Sequence, residues 1–223
     1  MLLVLWDVDG TLVYSAGHGR WAFEEAFRTV VGRAPAGPVD YAGRTDPQIA
    51  MSMLGGVDDH HLPRMLEELA GALEARKEEM RADGYAYTGV PEVLEALHER
   101  DDVVQSLLTG NIETNAALKV SAFHLERWLD FEVGAYGSDP HERRSDLVAV
   151  ARERAAAKYG EPTGAVLIGD TPLDVAAAHE AGARAVAVMT GPVGREALLQ
   201  SRPEALFEDL RDTSAAVAAI TST

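Results

Sequence analysis

Asp7, Val8, Asp9, Gly10 and Thr11 follow directly on six apolar residues, Met1 to Trp6. Two carboxylates therefore stand at the end of a run that reads as a buried strand. Burying one ionised carboxylate is costly and two within a few ångströms repel, so either one holds a proton or a cation sits between them. A second acid pair occurs in Gly169-Asp170-Thr171-Pro172-Leu173-Asp174, after the apolar run Ala165 to Ile168. Its four-residue spacing puts Asp170 and Asp174 on one side of a helix that Pro172 would open. Capping by Asp170 and a favourable helix dipole at Asp174 would explain that pair alone. They do not explain two strand ends that both finish in acids, a cluster that repels itself unless a hard cation lies among the oxygens. Such oxygen ligands suit magnesium, which keeps waters for a phosphate to replace.

Between the acid pairs, the apolar run Val103 to Leu108 is followed by Thr109, Gly110 and Asn111 and then by a helix-patterned stretch, Ile112 to Val120. A hydroxyl, a glycine that admits close backbone approach and amides at a helix start make an anion cradle. Taken alone, the same triplet is an ordinary turn and cap.

The elements that must position these residues are short apolar runs: Leu2 to Trp6, Val103 to Leu108, Phe131 to Ala135, Ala165 to Ile168 and Ala185 to Met189. They are continuous rather than alternating, which fits parallel strands buried on both faces, and helical patterns separate most of them. The fold class expected is α/β, a doubly wound parallel sheet whose ligands bind beyond the carboxyl ends of the strands. Between Asp9 and Val103 the pattern is helical throughout, with helices expected over His18 to Val31, Pro47 to Leu54 and His61 to Arg81, and a return helix over Pro91 to Arg100. This predicts a core of residues 1–14 and 89–223 with an inserted helical domain of residues 15–88. Gly17, Gly19, Gly84 and Gly89 flank the joints as turn formers or hinges.

The 223 residues are 47% hydrophobic and 25% charged, and this length buries a core without staples. The absence of cysteine excludes thiolate metal sites and cysteine nucleophiles. A formal charge of -16 repels a nucleic-acid backbone, so no nucleic-acid partner is expected. No apolar run approaches a membrane span and the six-residue N-terminal run lacks a basic leader, so the expected compartment is the cytoplasm, with no membrane partner. Walker-type, Gly-x-Ser-x-Gly and His-Glu-x-x-His motifs are absent.

The order of these motifs behind their strands resembles the haloacid dehalogenase superfamily, in its phosphatase branch with an α-helical cap, and is phosphoglycolate-phosphatase-like. The resemblance rests on Asp7-Val8-Asp9-Gly10-Thr11, Thr109-Gly110-Asn111, a basic residue near Arg144 and Gly169-Asp170-Thr171-Pro172-Leu173-Asp174. It implies that Asp7 attacks phosphorus to form an aspartyl phosphate and that Asp9 protonates the leaving oxygen and then activates water. It also implies magnesium held by Asp7, the Asp9 backbone carbonyl and Asp170, with Asp174 behind them. Thr109, Gly110 and Asn111 would hold the phosphoryl oxygens. Most relatives place a lysine at the remaining basic position, but Lys119 and Lys158 do not sit where that pattern wants one. Arg144 fits an arginine-bearing subset, with adjacent Arg143 as the alternative, and an arginine would grip phosphate as a planar fork.

The resemblance implies a magnesium-dependent phosphatase acting on a small phosphorylated metabolite. A sugar-phosphate mutase, similar to β-phosphoglucomutase, would share its aspartates, and a catalytically silent phosphate-binding module is the third reading. Asp9 argues against dehalogenation, and Lys77, late in a charged helix, argues against Schiff-base phosphonate cleavage. Within the cap, Gly43-Arg44-Thr45-Asp46 resembles a substrate-facing segment; Arg44 reads equally as a turn residue, and Asp46 as the cap of the helix at Pro47. His18 and Arg20 are candidates to reach over the site or to lie on the surface. Asp58, Asp59, His60 and His61 read as a helix-start loop rather than metal ligands, and Trp21, Met51 and Met53 as cap packing. Neither the substrate's identity nor the oligomeric state follows from the sequence.

Overall fold

The computed structural model describes residues 1–41, 43–55 and 59–222, with the side chain of Asp59 also outside the described set. Five parallel strands form the central sheet: β1 (Leu2–Trp6), β4 (Val103–Leu107), β5 (Gly164–Gly169), β6 (Arg184–Val188) and β7 (Ala205–Phe207), in the order β4-β1-β5-β6-β7. The chain leaves the interior strand β1, returns on one side of it as β4 and crosses to the other side as β5. That reversal is the switch point at which a crevice opens beyond the strand ends. Register fixes the level: Trp6 pairs with Leu107 on one side and Ile168 on the other. Residues just after these three strands therefore emerge side by side, about 5 Å apart from strand to strand.

Both faces of the sheet are buried, as the continuous apolar runs require. Val4 and Trp6 pack toward α5 (Val90–His98) and α10 (Thr213–Thr221), while Leu3 and Leu5 pack toward α7 (Arg144–Tyr159) and α8 (Pro172–Glu180). Trp6 is held in place by its indole N–H, which donates to Gln105 at 3.2 Å. The run Phe131 to Ala135 is not a strand: Phe131–Val133 is a 3-10 turn, and only Ala135 bridges Leu108. Apolar composition is set here by packing against α7, which does not require a ladder. The short strand β7, the helix α9 (Arg195–Gln200) and α10 carry weak periodicity and emerge only in the structure.

Before β4 lie α1 (His18–Val31), α2 (Asp46–Leu54), α3 (Leu62–Glu74) and α4 (Lys77–Asp83). The single helix expected over His61 to Arg81 is thus two, interrupted at Ala75 and Arg76. These helices have their own apolar cluster, including Phe23, Phe27, Met65 and Leu69, closed by Leu118 and Ala122 of α6 (Glu113–Ala122). Trp21 and Met53 pack against that cluster, with the Arg76 guanidinium 4.4 Å from the Trp21 ring centre, but Met51 is exposed. Two short strands, β2 (Val13–Tyr14) and β3 (Tyr85–Ala86), pair antiparallel where the chain enters and leaves the helical layer. Gly17 and Gly89 stand at the starts of α1 and α5 in left-handed conformation, which a side chain would resist. Among the described residues no helix is long and apolar enough to cross a membrane.

Candidate active site

Asp7, Thr109 and Asp170 leave β1, β4 and β5 at the switch point and line one cleft of about 980 Å³. Backbone bonds beyond the strands fix their directions: Asp7 N–H donates to Ile168 at 2.9 Å and Thr109 N–H to Ala135 at 3.1 Å. Asp7, Asp170 and Asp174 are all buried, and each offers a carboxylate oxygen within 4.8 Å of the others. Arg144, the first residue of α7, inserts its Nη2 between two of them, 2.6 Å from Asp174 Oδ1 and 3.2 Å from Asp7 Oδ1. Arg143 points elsewhere, to Asp146 at 3.7 Å and Glu180 at 3.8 Å.

Three acids facing one guanidinium leave an excess of negative charge. Burial pushes the Asp7 carboxyl above the ordinary carboxylate range; Arg144 opposes this, while Asp174 and Asp9 add to it. Burial likewise raises Asp170, reinforced by Asp7 and Asp174. A cation among these oxygens would remove the conflict, and an all-oxygen donor set suits a hard one. Gly10, at φ +84°, makes room for the cluster, because a Cβ there would lie 2.5 Å from Asp170 Oδ2. Asp174 is already engaged: its Oδ2 accepts from the Thr171 amide at 3.0 Å and from the Thr171 hydroxyl at 2.6 Å. Thr171, not Asp170, is thus the cap of α8, and Asp170 lines the cleft, its Oδ1 accepting from the Thr11 hydroxyl at 3.3 Å. Arg144 Nε is buried and has no hydrogen-bond partner among the described residues.

Asp9 faces a different set of groups. Its Oδ2 accepts from Lys119 Nζ at 2.6 Å and Asn111 Nδ2 at 2.9 Å, and its Oδ1 from the Ser15 hydroxyl at 3.3 Å. Burial would raise its pKa, but the charge and hydrogen bond of Lys119, with Asn111 and Ser15, outweigh that and hold it below the ordinary value. Lys119 itself is 6% exposed and also donates to Asn111 Oδ1 at 2.6 Å. Lys119 does not occupy the basic position that the resemblance marks, so the motif pattern alone assigns it no role. The available signal was helical: Asn111, Asn115 and Lys119 recur every four residues, which puts the lysine on the cradle's own face. Asn111 completes the link by donating from Nδ2 to Thr109 Oγ1 at 2.8 Å.

The loop before α2 is fastened to this cradle. Thr45 caps α2, its Oγ1 accepting from the Gln48 amide at 3.4 Å while Gln48 Oε1 accepts from the Thr45 amide at 3.1 Å. Asp46, expected as that cap, reaches across instead: its Oδ2 accepts from the Ile112 amide at 2.9 Å and Asn115 Nδ2 at 3.0 Å, and its own amide donates to Gly110 at 2.7 Å. Gly110 is required at this approach, since a Cβ there would stand 2.7 Å from the Arg44 carbonyl oxygen. Arg44 lines the cleft with its Nη2 3.4 Å from Asp40 Oδ2, and Arg20 lines it with its guanidinium 5.0 Å from the Tyr41 ring centre. His18 does not line the cleft; it is buried at the start of α1 with Nε2 3.1 Å from Asp83 Oδ2, tying α1 to the end of α4. Lys77 is likewise not among the cleft residues, and Lys158 pairs with Asp130 and Glu132. Asp58 lies outside the described residues, as does the Asp59 side chain, while His60 and His61 fall in a 3-10 turn leading into α3.

Residues 4–179 match the family model described as haloacid dehalogenase-like hydrolase. The chain is 29% identical over 216 residues to phosphoglycolate phosphatase 1 of Pseudomonas aeruginosa, covering 94% of this chain and 77% of that protein. It is 30% identical over 121 residues to a protein of Caldanaerobacter subterraneus that carries a pyrophosphatase name, PpaX; that match covers 54% of this chain and 53% of the other, so it spans about half of that relative's length. In fold it is similar to the crystal structure of CbbY from Rhodobacter sphaeroides in complex with phosphate, with a TM-score of 0.69 at 17% identity, covering 94% of this chain and 95% of that one.

Proposed function

Because this chain belongs to the haloacid dehalogenase-like hydrolase family, we propose that it is a magnesium-dependent phosphatase that hydrolyses a small phosphorylated metabolite through an aspartyl phosphate on Asp7. The observation that carries this reading is the position of Asp7: it is buried at the switch point, paired to Arg144 and flanked by Thr109 and Asp170. A carboxylate fixed there is placed to attack a phosphorus whose oxygens are held from the sides. Thr109, with the backbone at Gly110 and Asn111, forms one side and the Arg144 guanidinium the other. Asp7 Oδ forms a bond to phosphorus as the bond to the leaving oxygen breaks, and Asp9 supplies that oxygen's proton. Asp9 then takes a proton from water, whose oxygen attacks phosphorus and releases Asp7.

Lys119, whose ammonium donates to Asp9 Oδ2, favours the charged form of this carboxylate, the form that takes the proton from water. Asp7, Asp170 and the Asp9 carbonyl would hold magnesium, which when bound supplies positive charge to the phosphoryl oxygens and to the crowded carboxylates. We also propose that residues 15–88 form a cap domain over a core of residues 1–14 and 89–223. The separate apolar cluster of the helical layer and the β2–β3 ribbon at its root support that division.

Phosphate release from a generic aryl phosphate tests the reading. Activity is expected with magnesium and lost on chelation, and Asp9→Asn is expected to lower kcat by roughly 100- to 10,000-fold, the range for general acid–base catalysis. Turnover that survives both chelation and Asp7→Asn would sink the mechanism. A sugar monophosphate isomerised faster than it is hydrolysed would move the assignment to a mutase. Lys119→Met is expected to lower kcat by about 10- to 100-fold, the worth of one charged hydrogen bond, and to shift the acidic limb of the pH–rate profile upward as Asp9 loses its cationic partner. A profile unmoved by that change would show that Lys119 does not act through Asp9.

A further inference from the structure

We propose that the cleft takes a phosphomonoester whose leaving group carries a flat aromatic ring, held on a tyrosine shelf formed by the β2–β3 ribbon. This rests on the phosphatase reading above and names its substrate class. Tyr14 and Tyr85 face each other in register across the ribbon, with ring centres 5.1 Å apart and planes inclined by 34°. Tyr87 stands edge-on to Tyr85 at 5.4 Å and 88°. All three line the cleft. Tyr14 is 45% and Tyr85 51% exposed, so two large aromatic side chains stand half open to water and line the same cleft as the acid cluster.

The shelf lies on the side where the leaving group must go. Ser15, next in the chain after Tyr14, donates to Asp9 Oδ1 at 3.3 Å, and Asp9 is the proposed proton donor to the leaving oxygen. Asp9 also bridges Val13, the first residue of the ribbon. A substrate phosphorylated at Asp7 and protonated by Asp9 therefore extends toward Tyr14 and Tyr85. Phe23 and Tyr41 also line the cleft and meet edge to face at 5.7 Å, with the Arg20 guanidinium 5.0 Å from the Tyr41 ring centre.

Aromatic rings along the cleft, with a guanidinium among its lining residues, favour a planar partner by offset stacking and cation–π contact. A two-carbon acid would leave these faces wet, and a cleft of about 980 Å³ is at the upper end of the range that encloses drug-sized ligands. The competing explanation is that Tyr14 and Tyr85 are only a cross-strand pair that stiffens the ribbon.

The two explanations separate in a substrate series that holds size constant. With the intact enzyme and magnesium, kcat/KM is measured for benzyl phosphate, cyclohexylmethyl phosphate and 2-phosphoglycolate, with adenosine 5'-monophosphate as a second aromatic arm that tells a nucleoside from a single ring. Benzyl phosphate is expected to exceed cyclohexylmethyl phosphate by about tenfold, as stacking of one ring allows. In Tyr85→Leu and Tyr14→Leu, both half-exposed sites that tolerate change, that ratio is expected to fall toward one, chiefly through KM. Equal use of the two isosteres, a preference for 2-phosphoglycolate, or a ratio unmoved in both variants overturns the shelf while leaving the phosphatase reading intact. If no ester is hydrolysed, binding of benzylphosphonate against methylphosphonate decides. A tyrosine-dependent preference for the former supports the shelf although the phosphatase reading has failed, and equal binding overturns both.

Discussion

Asp7→Asn is expected to lower phosphatase turnover by on the order of 10⁴- to 10⁶-fold, the scale seen when a nucleophile is removed, while making the metal-free protein more stable. The two effects have one cause. Asp7 is buried and shares its surroundings with Asp170 and Asp174, and a single guanidinium does not balance them. The native carboxyls of Asp7 and Asp170 are held above the ordinary range, so the folded protein binds more protons than the unfolded chain at pH values between the ordinary value of about 4 and the raised one. Stability of the metal-free protein therefore falls as pH rises through that window.

Replacing Asp7 with asparagine removes one of the two raised carboxyls and flattens the fall. Urea unfolding in chelator at pH 5 and pH 8 measures it, and addition of magnesium to the parent protein is expected to restore much of what the higher pH took away. A variant that is inactive and no more stable than the parent at pH 8 would contradict the charge-crowding argument. A variant that is stable and still active would contradict the role of Asp7.

Arg144→Ala is expected to fail in the opposite way, losing both activity and stability. Its side chain is mostly buried, and Nη2 spans Asp7 and Asp174, so removal leaves two buried carboxylates without their counter-charge. Breaking one partner from a buried ion pair costs about 3–5 kcal/mol, and the loss should be seen by denaturant unfolding at neutral pH. Turnover should fall by about 10³- to 10⁵-fold, as for an arginine that stabilises a transferring phosphoryl group.

Arg144→Lys separates the two contributions. A lysine keeps the charge and so much of the stability, but it lacks the planar fork, and activity should recover only in part. Full recovery by lysine would show that Arg144 acts as a point charge alone. Arg143→Ala serves as the comparison, because that side chain is exposed and, among the described residues, pairs with surface acids at 3.7 and 3.8 Å.

Much of this was legible in the chain because strand ends in a parallel sheet are strongly constrained. A continuous apolar run must be covered on both faces, and whatever follows it is delivered to the carboxyl edge. Leu2 to Trp6, Val103 to Leu108 and Ala165 to Ile168 therefore located the sheet, and Asp7, Thr109 and Asp170 directly after them located the cleft. Helix α1 also runs over the residues that its periodicity marks, His18–Val31. Where apolar character comes from packing under a turn instead of from a ladder, the same signal misleads, as at Phe131–Val133.

What the sequence by itself determined is the set of strand-end groups and the order in which they meet, because these follow from local pattern and from the topology of parallel strands. The tertiary structure alone decided which partner each charged side chain takes. Asp46 accepts from Ile112 and Asn115 although its neighbours suggest a helix cap, His18 turns to Asp83 and away from the cleft, and Lys119 reaches Asp9 across 110 positions of chain. The physical reason is that a long polar side chain resolves its burial by whichever opposite charge or donor the packing brings within about 3 Å; spacing along the chain can place Lys119 on the helix face it shares with Asn111 and Asn115, but which carboxylate meets that face is a property of the folded structure.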